Sequence, residues 1–322
     1  MTKVIDFNNE SVLEGVYYGG DAGAKDAISY MGSVWMLKYP KTTRDLVKPQ
    51  ISYTTSPLSE YLGSKIYETL GIPVHETLLG VRNNKVVVAC KDFTRIIKAG
   101  GFEESPRAMI NKQLVPFHDL KNSFMSSDLE SYSGTGSETL LDEVLATIEG
   151  QRTLKKIPAA KERFWDMFVI DAFIGNNDRN NGNWGILIQP ESGDIELAPV
   201  YDNGNAFFNK RSIAQMEKRL GNEKLIEEDA VKTLVSTYKY TGLDNEGHRI
   251  NPFTYIMTKE NEECTAAVAR FVLSVDMGTI ERLIDLIPEN KGNLAIMPKV
   301  QKDFYLELLH CRLNYLLGVV QC

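Results

Sequence analysis

Cysteine and histidine are scarce in this chain, and their scarcity removes several chemistries at once. The 322 residues hold four Cys (Cys90, Cys264, Cys311, Cys322) and four His (His75, His118, His248, His310). The cysteines have neither metal nor redox spacing and read as reduced thiols of a cytoplasmic-type protein. The isolated histidines leave a His-based metal centre or a Ser-His-Asp hydrolase without parts. Each reads as a surface or hydrogen-bonded structural residue. No apolar run approaches the ~20 residues of a membrane span, so no stable membrane association is expected. The opening MTKVIDFNNESVLEG has no apolar signal core. Basic residues are also in deficit: 36 Lys and Arg against 43 Asp and Glu give a net charge of −7. That is the reverse of a nucleic-acid footprint, and no nucleic-acid partner is expected. What remains is an ordinary globular composition without internal repeats, at a length that suggests two lobes.

The chain is organised around residues 164–208. Phe164, Trp165, Phe168, Ala172 and Phe173 recur at spacings of three and four, which predicts a helix. Nine residues with almost nothing to bury follow, at 175–183. Apolar segments at 184–188 and around Leu197 and Val200 then lead to Tyr201-Asp202-Asn203-Gly204. Two polar turns, each carrying an Asp, therefore sit at the ends of short apolar segments. Phosphoryl transfer asks for such an arrangement: one carboxylate to take a hydroxyl proton, and an Asn and a second carboxylate to hold magnesium. Asp178, Asn183 and Asp202 fill those roles. The plainer alternative is a polar loop that caps a helix, followed by a hairpin turn.

Upstream, residues 11–18 read as a strand, 19–25 as a loop of small residues, and 27–31 with 34–39 as a hairpin turning at Gly32-Ser33. Glycines let backbone N–H groups approach phosphate oxygens; a plain turn is the other reading. Lys38 closes the second strand among apolar neighbours, where it either reaches phosphates across a cleft or snorkels to solvent. Ser56-Pro57 opens a helix, with Ser56 as N-cap and Pro57 at the first helical position. Leu58, Tyr61, Leu62, Ile66 and Leu70 form its stripe, and Gly71 and Pro73 end it. Glu60 in its first turn either offsets the macrodipole or forms an ion pair that aims Lys38. Strands at 74–80 and 85–90, joined at Arg82-Asn83-Asn84, lead to Lys91-Asp92-Phe93. Strands then give way to helices, so the lobe boundary falls after Phe93. A hinge there offers an adenine one N–H and one C=O. Residues 122–139, with six Ser and two Thr, read as a flexible surface loop. Helices are expected near 138–148, 213–220, 226–238, 264–275, 279–287 and 299–319.

The ordered set of small-residue loop, Lys38, Glu60, hinge, IGNNDRNNGN and PVYDNGNAF resembles the HipA-like serine/threonine kinases, relatives of the phosphoinositide-kinase superfamily. The resemblance covers most of the chain. It implies an α+β, two-lobed protein-kinase-like fold, with a small β-rich N-lobe (1–93) and a larger, mostly helical C-lobe (94–322). It implies a monomeric, ATP- and Mg²⁺-dependent kinase that acts on Ser or Thr of a protein substrate and is capable of autophosphorylation. Asp178 then matches the catalytic Asp, Asn183 and Asp202 the metal-binding positions, Lys38 the phosphate-binding Lys and Glu60 its helix partner. Gly20, Asp21, Ala22, Gly23, Ala24 and Lys25 match the phosphate loop, and Lys91 and Phe93 the adenine hinge.

A phosphoinositide-type lipid kinase and a nucleotide-binding pseudokinase scaffold are the alternatives. Residues 203–212 supply only Lys210 and Arg211 for a membrane-facing loop, and every catalytic position is filled. The sequence departs from kinase patterns in having no HRD and no Phe after Asp202, so control by a DFG flip is not expected. It also starts almost directly with the N-lobe, without the extra domain through which HipA toxins engage an antitoxin and DNA-bound partner. Stand-alone members of the group imply a bacterial effector, whose export from a cytoplasmic-type state would proceed without a classical signal peptide. HipA toxins carry an autophosphorylated Ser in the phosphate loop. Its position matches Gly20, and 15–28 holds neither Ser nor Thr.

Overall fold

Apolar residues at 27–28 and 34–37 build the first hairpin of the computed structural model, which describes residues 2–19, 24–46, 49, 51–95, 112–128, 134–241 and 247–321. Strands β2 (Lys25–Tyr30) and β3 (Ser33–Lys38) pair antiparallel, Lys25 opposite Lys38. The turn lies at Met31-Gly32, one residue earlier than expected, and both residues have positive φ (48° and 69°). That backbone matches the right-handed twist of the two strands. A second hairpin, β4 (Thr77–Arg82) and β5 (Lys85–Lys91), turns at Asn83-Asn84, again with positive φ. Asn is among the few residues that tolerate this region.

The five-stranded sheet has the order β1-β4-β5-β3-β2, and its edge strand β1 (Ile5–Asp6) runs parallel to β4. Phe7, Ile28, Trp35, Leu37, Val87 and Ala89 form its core cluster. Residues 11–18 make only an isolated bridge, Val12 to Ile28. The expected strand is broken by a turn at Glu14-Gly15, where Gly15 has φ 79°. Helix α1 (Ser56–Thr69) packs against β4 and β5 and buries Leu58, Leu62 and Ile66. Its N-cap is Thr55 rather than Ser56, without a side-chain cap bond.

Contacts divide the chain into two units, each drawn from three segments. The first joins Met1–Asn111 with Asn203–Ile226 and Asp276–Glu307. Besides the sheet and α1 it holds α5 (Ile213–Glu217), most of α6 (Glu223–Glu227), α9 (Met277–Asp285), a small hairpin of β9 (Asn290–Lys291) and β10 (Leu294–Ala295), and the start of α10 (Lys299–Gln321). The second joins Lys112–Asp202 with Glu227–Val275 and Leu308–Cys322. It contains a three-stranded antiparallel sheet, β6 (Gln113–Pro116), β7 (Gly185–Ile188) and β8 (Ile195–Leu197), in the order β6-β7-β8. Its helices are α2 (Phe117–Asp128), α3 (Leu141–Gly150), α4 (Ala160–Ile174), α7 (Pro252–Thr258), α8 (Glu262–Ser274) and the rest of α10. Helix α4 is the centre of this unit. From Phe164 to Ile174 only Asp166 escapes full burial, and Phe173 packs on Phe271 of α8 with ring centroids 4.9 Å apart.

Three helix expectations change. Residues 122–128 belong to α2 rather than to a flexible loop, because Leu120 and Met125 give that stretch a face to bury. The helix expected over 226–238 ends after α6 in one π-type turn, 228–232. Beyond it Val235, Ser236, Thr237 and Tyr238 are poor helix formers, and Ser236 and Tyr238 instead exchange backbone bonds with Ile250. Helix α7, absent from the expectations, starts with Asn251 as N-cap, accepting from the Thr254 amide, and Pro252 in its first turn.

Candidate active site

Helix α4 delivers the polar loop. It ends at Gly175, whose φ of 72° turns the chain out of the helix. A side chain here would also place its Cβ 2.6 Å from the Arg312 guanidinium. The next residues are not the unburied loop expected: Asn176, Arg179 and Asn181 are 5%, 2% and 1% exposed. Such burial requires partners. Arg179 Nε donates to Asp171 Oδ2 at 2.8 Å, and its terminal nitrogens donate to Asp171 Oδ1 and to the carbonyls of Asn183 and Tyr201. Asn176 also donates to Asp171 and accepts from the Asp178 amide. Asn181 donates to the carbonyls of Gly136 and Glu138 and accepts from the His118 amide.

These bonds fix the loop from beneath and leave Asp178 exposed. Asn183 Nδ2 donates to the Asp178 carbonyl at 2.7 Å, so its Oδ1 is the atom turned to other partners. One guanidinium therefore holds the carbonyl of Asn183 and that of Tyr201, the residue before Asp202. Asp202 itself has φ 62°. This left-handed backbone costs an ordinary residue about 1–2 kcal/mol, and Asp bears it better than most. Asn183 and Asp202 offer hard oxygen donors of the kind magnesium takes.

The first unit, taken by itself, holds the pair expected from the sequence. Lys38 Nζ lies 2.9 Å from Glu60 Oε2, with the two side chains 9% and 1% exposed. Burial alone would raise the Glu60 pKa. The Lys38 charge and a hydrogen bond from His75 outweigh it and hold the carboxyl below its ordinary value. The sequence-predicted pair is thus brought together. In the stretch expected to form a hinge, the Lys91 amide donates to the Glu76 carbonyl and its ammonium pairs with the Glu76 carboxylate, both at 2.9 Å. Asp92 gathers Thr94, Arg95 and the Tyr18 hydroxyl, and burial followed by the Asp92 charge raises the Tyr18 pKa. Tyr18 precedes the expected glycine loop, so the root of that segment is tied to Asp92. Of the loop itself, Gly20, Asp21, Ala22 and Gly23 lie outside the described residues. The Ala24 carbonyl accepts from the Tyr39 amide, and Lys25 Nζ donates to the Gly19 carbonyl.

Sequence reasoning missed Asp171, Arg179, His75 and Asn203. Asp171 had a signal: an acid in the last turn of a helix that is otherwise apolar from Met167 onward needs a buried cation. Nothing in the spacing marked His75.

These features define a protein of the HipA-like class. The profile of the HipA-like C-terminal domain family matches residues 22–271, and the chain belongs to that family. It is 31% identical over 316 residues to the serine/threonine-protein kinase CtkA of Helicobacter pylori, spanning 98% of this chain and 87% of the relative. The crystal structure of the H. pylori proinflammatory kinase CtkA superposes with a TM-score of 0.80 at 29% identity, covering 99% of each chain. HipA of Shewanella oneidensis, in its complex with HipB and operator DNA, shares the fold alone: TM-score 0.53 and 13% identity, over 96% of this chain and 68% of that one. The α+β kinase-like fold expected from sequence is the fold found.

Proposed function

We propose that this protein transfers the γ-phosphoryl group of ATP to Ser or Thr hydroxyls of a protein substrate, as a magnesium-dependent monomeric kinase. Kinase activity holds at the level of the family. What carries the finer reading is the oxygen set of Asp178, Asn183 and Asp202 on hydrogen-bonded turns, in a chain 31% identical to a serine/threonine-protein kinase. In this reading residues 1–93 are the nucleotide lobe and 94–322 the catalytic lobe. Asp178 accepts the hydroxyl proton. Asn183 Oδ1 and the Asp202 carboxylate would hold Mg²⁺, which would supply neutralisation of phosphate charge. Lys38, aimed by Glu60, meets the phosphates. The Lys91 amide is already bonded within the sheet, so Lys91 would meet adenine through its carbonyl and Phe93 through its amide.

A lipid substrate is disfavoured because Arg211 stacks on the Phe208 ring at 4.2 Å, which leaves little basic surface in 203–212. The relative's description as proinflammatory extends the reading to an effector that acts outside its producing cell. Fractionating cells and medium beside a cytosolic marker tests that extension.

The central experiment offers labelled ATP with a general protein substrate and, separately, phosphoinositide vesicles. Asp178→Ala is expected to lose ~10²–10⁴-fold in turnover with nucleotide affinity kept. Asp202→Ala is expected to lose transfer together with the magnesium dependence of nucleotide binding. Full activity in either variant sinks the assignment, and transfer to vesicles alone moves it to a lipid kinase.

A further inference from the structure

Glu60 does more than face Lys38. Its Oε2 takes the Lys38 ammonium, and its Oε1 takes two other donors: His75 Nε2 at 2.9 Å and the backbone N–H of Asn203 at 3.0 Å. Ser64, one turn further along α1, closes a ring. Its Oγ lies 3.1 Å from His75 Nε2 and accepts from Asn203 Nδ2 at 3.1 Å. Glu60, Ser64, His75 and Asn203 are 1%, 1%, 4% and 0% exposed, so bulk water does not reach the intact ring. The Cys90 sulfur belongs to the same cluster, its ligand atom within 4.8 Å of those of Glu60 and His75. Both Glu60 oxygens are already engaged by hydrogen-bond donors, so the group is an ion-pair network rather than a metal cage.

The terminal torsion of a Glu side chain is broad, and one lysine cannot fix the plane of its carboxylate. Donors on both oxygens can. Here they come from β3 (Lys38), from the connection between α1 and β4 (His75), and from the turn that begins at Asn203, the residue after Asp202. Gly204 in that turn keeps the approach open: a Cβ there would sit 3.1 Å from Glu60 Oε2.

We infer that His75 is a positioning residue for phosphoryl transfer: its Nε2–H orients the Glu60 carboxylate so that Oε2 presents Lys38 to the nucleotide phosphates while Oε1 holds the turn that follows Asp202. This rests on the kinase reading above. His75 touches no substrate and acts through Glu60.

The test compares wild type, His75→Leu, His75→Gln, Glu60→Gln and the double variant His75→Leu/Glu60→Gln for kcat, KM for ATP, half-saturating Mg²⁺ and thermal midpoint. Leucine removes the donor at similar size, whereas the glutamine amide reaches the Nε2 position. His75→Leu is expected to lower kcat at least tenfold and to raise KM for ATP. His75→Gln is expected to recover most of both, and adding His75→Leu to Glu60→Gln should change little, since the two act through one group. If the leucine variant does not fold, His75→Asn, too short to reach Glu60, takes its place against His75→Gln. Wild-type kinetics in the leucine variant, equal loss in the Gln and Leu or Asn variants at matched thermal midpoints, or additive losses in the double variant would overturn the inference while leaving the kinase reading intact. A wild type that transfers no phosphate would overturn the kinase reading, and the inference with it.

Discussion

A carboxylate with 1% of its surface exposed needs its counter-charge inside the protein, and Glu60 has it in Lys38. The consequence for stability has a definite sign. The folded-state pKa of Glu60 lies below its ordinary 4.5, so below that value the unfolded chain binds more protons than the folded one. Stability from this group is therefore fully present above the unfolded pKa and is lost as pH falls through the folded one. Urea unfolding of wild type and Glu60→Gln should give a stability difference that shrinks as the pH falls below about 4.5, by this linkage. A difference that grows on acidification would contradict the pairing. Cys264 offers a second check. Burial pushes its thiol up to about 12, which leaves roughly one part in 10⁴ as thiolate at pH 8. Mass spectrometry after native iodoacetamide treatment should find Cys264 unmodified, and modified once urea is added. Lys38 and Glu60 were legible in the sequence because each is a charge among apolar neighbours in a periodic element. His75 was not, because nothing local distinguishes a histidine that braces a carboxylate from one at the surface.

At the scale of elements, the polar loop at 175–183 depends on the way α4 stops. Gly175 is required twice, by its positive φ and by the nearness of Arg312. Gly175→Ala should cost more than the ~1 kcal/mol of an ordinary φ-positive substitution, measured as a lower urea midpoint at unchanged slope. The loop then hangs from the Asp171–Arg179 pair. Breaking a buried pair by removing one partner costs about 3–5 kcal/mol. A lysine cannot reproduce the guanidinium fork that holds Asp171 and two carbonyls together. Arg179→Lys is therefore expected to fold with a lowered thermal midpoint and to need more Mg²⁺ for half-maximal activity, since the carbonyls of Asn183 and Tyr201 lose their common anchor. An unchanged magnesium titration would show that Arg179 serves stability alone. The existence of α1, α4 and the two hairpins could be read from apolar spacing. The burial of Asn176, Arg179 and Asn181 could not, because their partners, such as Asp171, Tyr201 and Gly136, become neighbours only after folding. The π-type turn at 228–232 was hidden too, since Ile226, Ala230 and Val231 continue a helical stripe.

For the molecule as a whole, the run of strands followed by helices indicated the fold class, while the segments that build each unit are set by long-range contacts that periodicity does not record. Asn203–Ile226 and Asp276–Glu307 pack with Met1–Asn111, although helical patterning alone would assign them with their neighbours in sequence. A phosphoserine carries about −1.5 to −2 charges at pH 7, and placed against ATP phosphates it would repel the nucleotide. Residues 15–28 contain no Ser or Thr, so a kinase with serine/threonine specificity has no acceptor there. The Ser-rich stretch does offer hydroxyls: Ser123, Ser126 and Ser127 are exposed on α2, and Thr135 and Ser137 are exposed beyond it. Incubation with Mg-ATP, with phosphopeptides mapped and activity assayed over time, is expected to find any incorporated phosphate on 122–139 and none on 15–28, with activity retained as it accumulates. Tyr17 is the informative exception, being 85% exposed beside the loop, and phosphate on it would reveal dual specificity. Activity that falls in step with phosphate on 15–28 would mean that the loop is self-silencing after all.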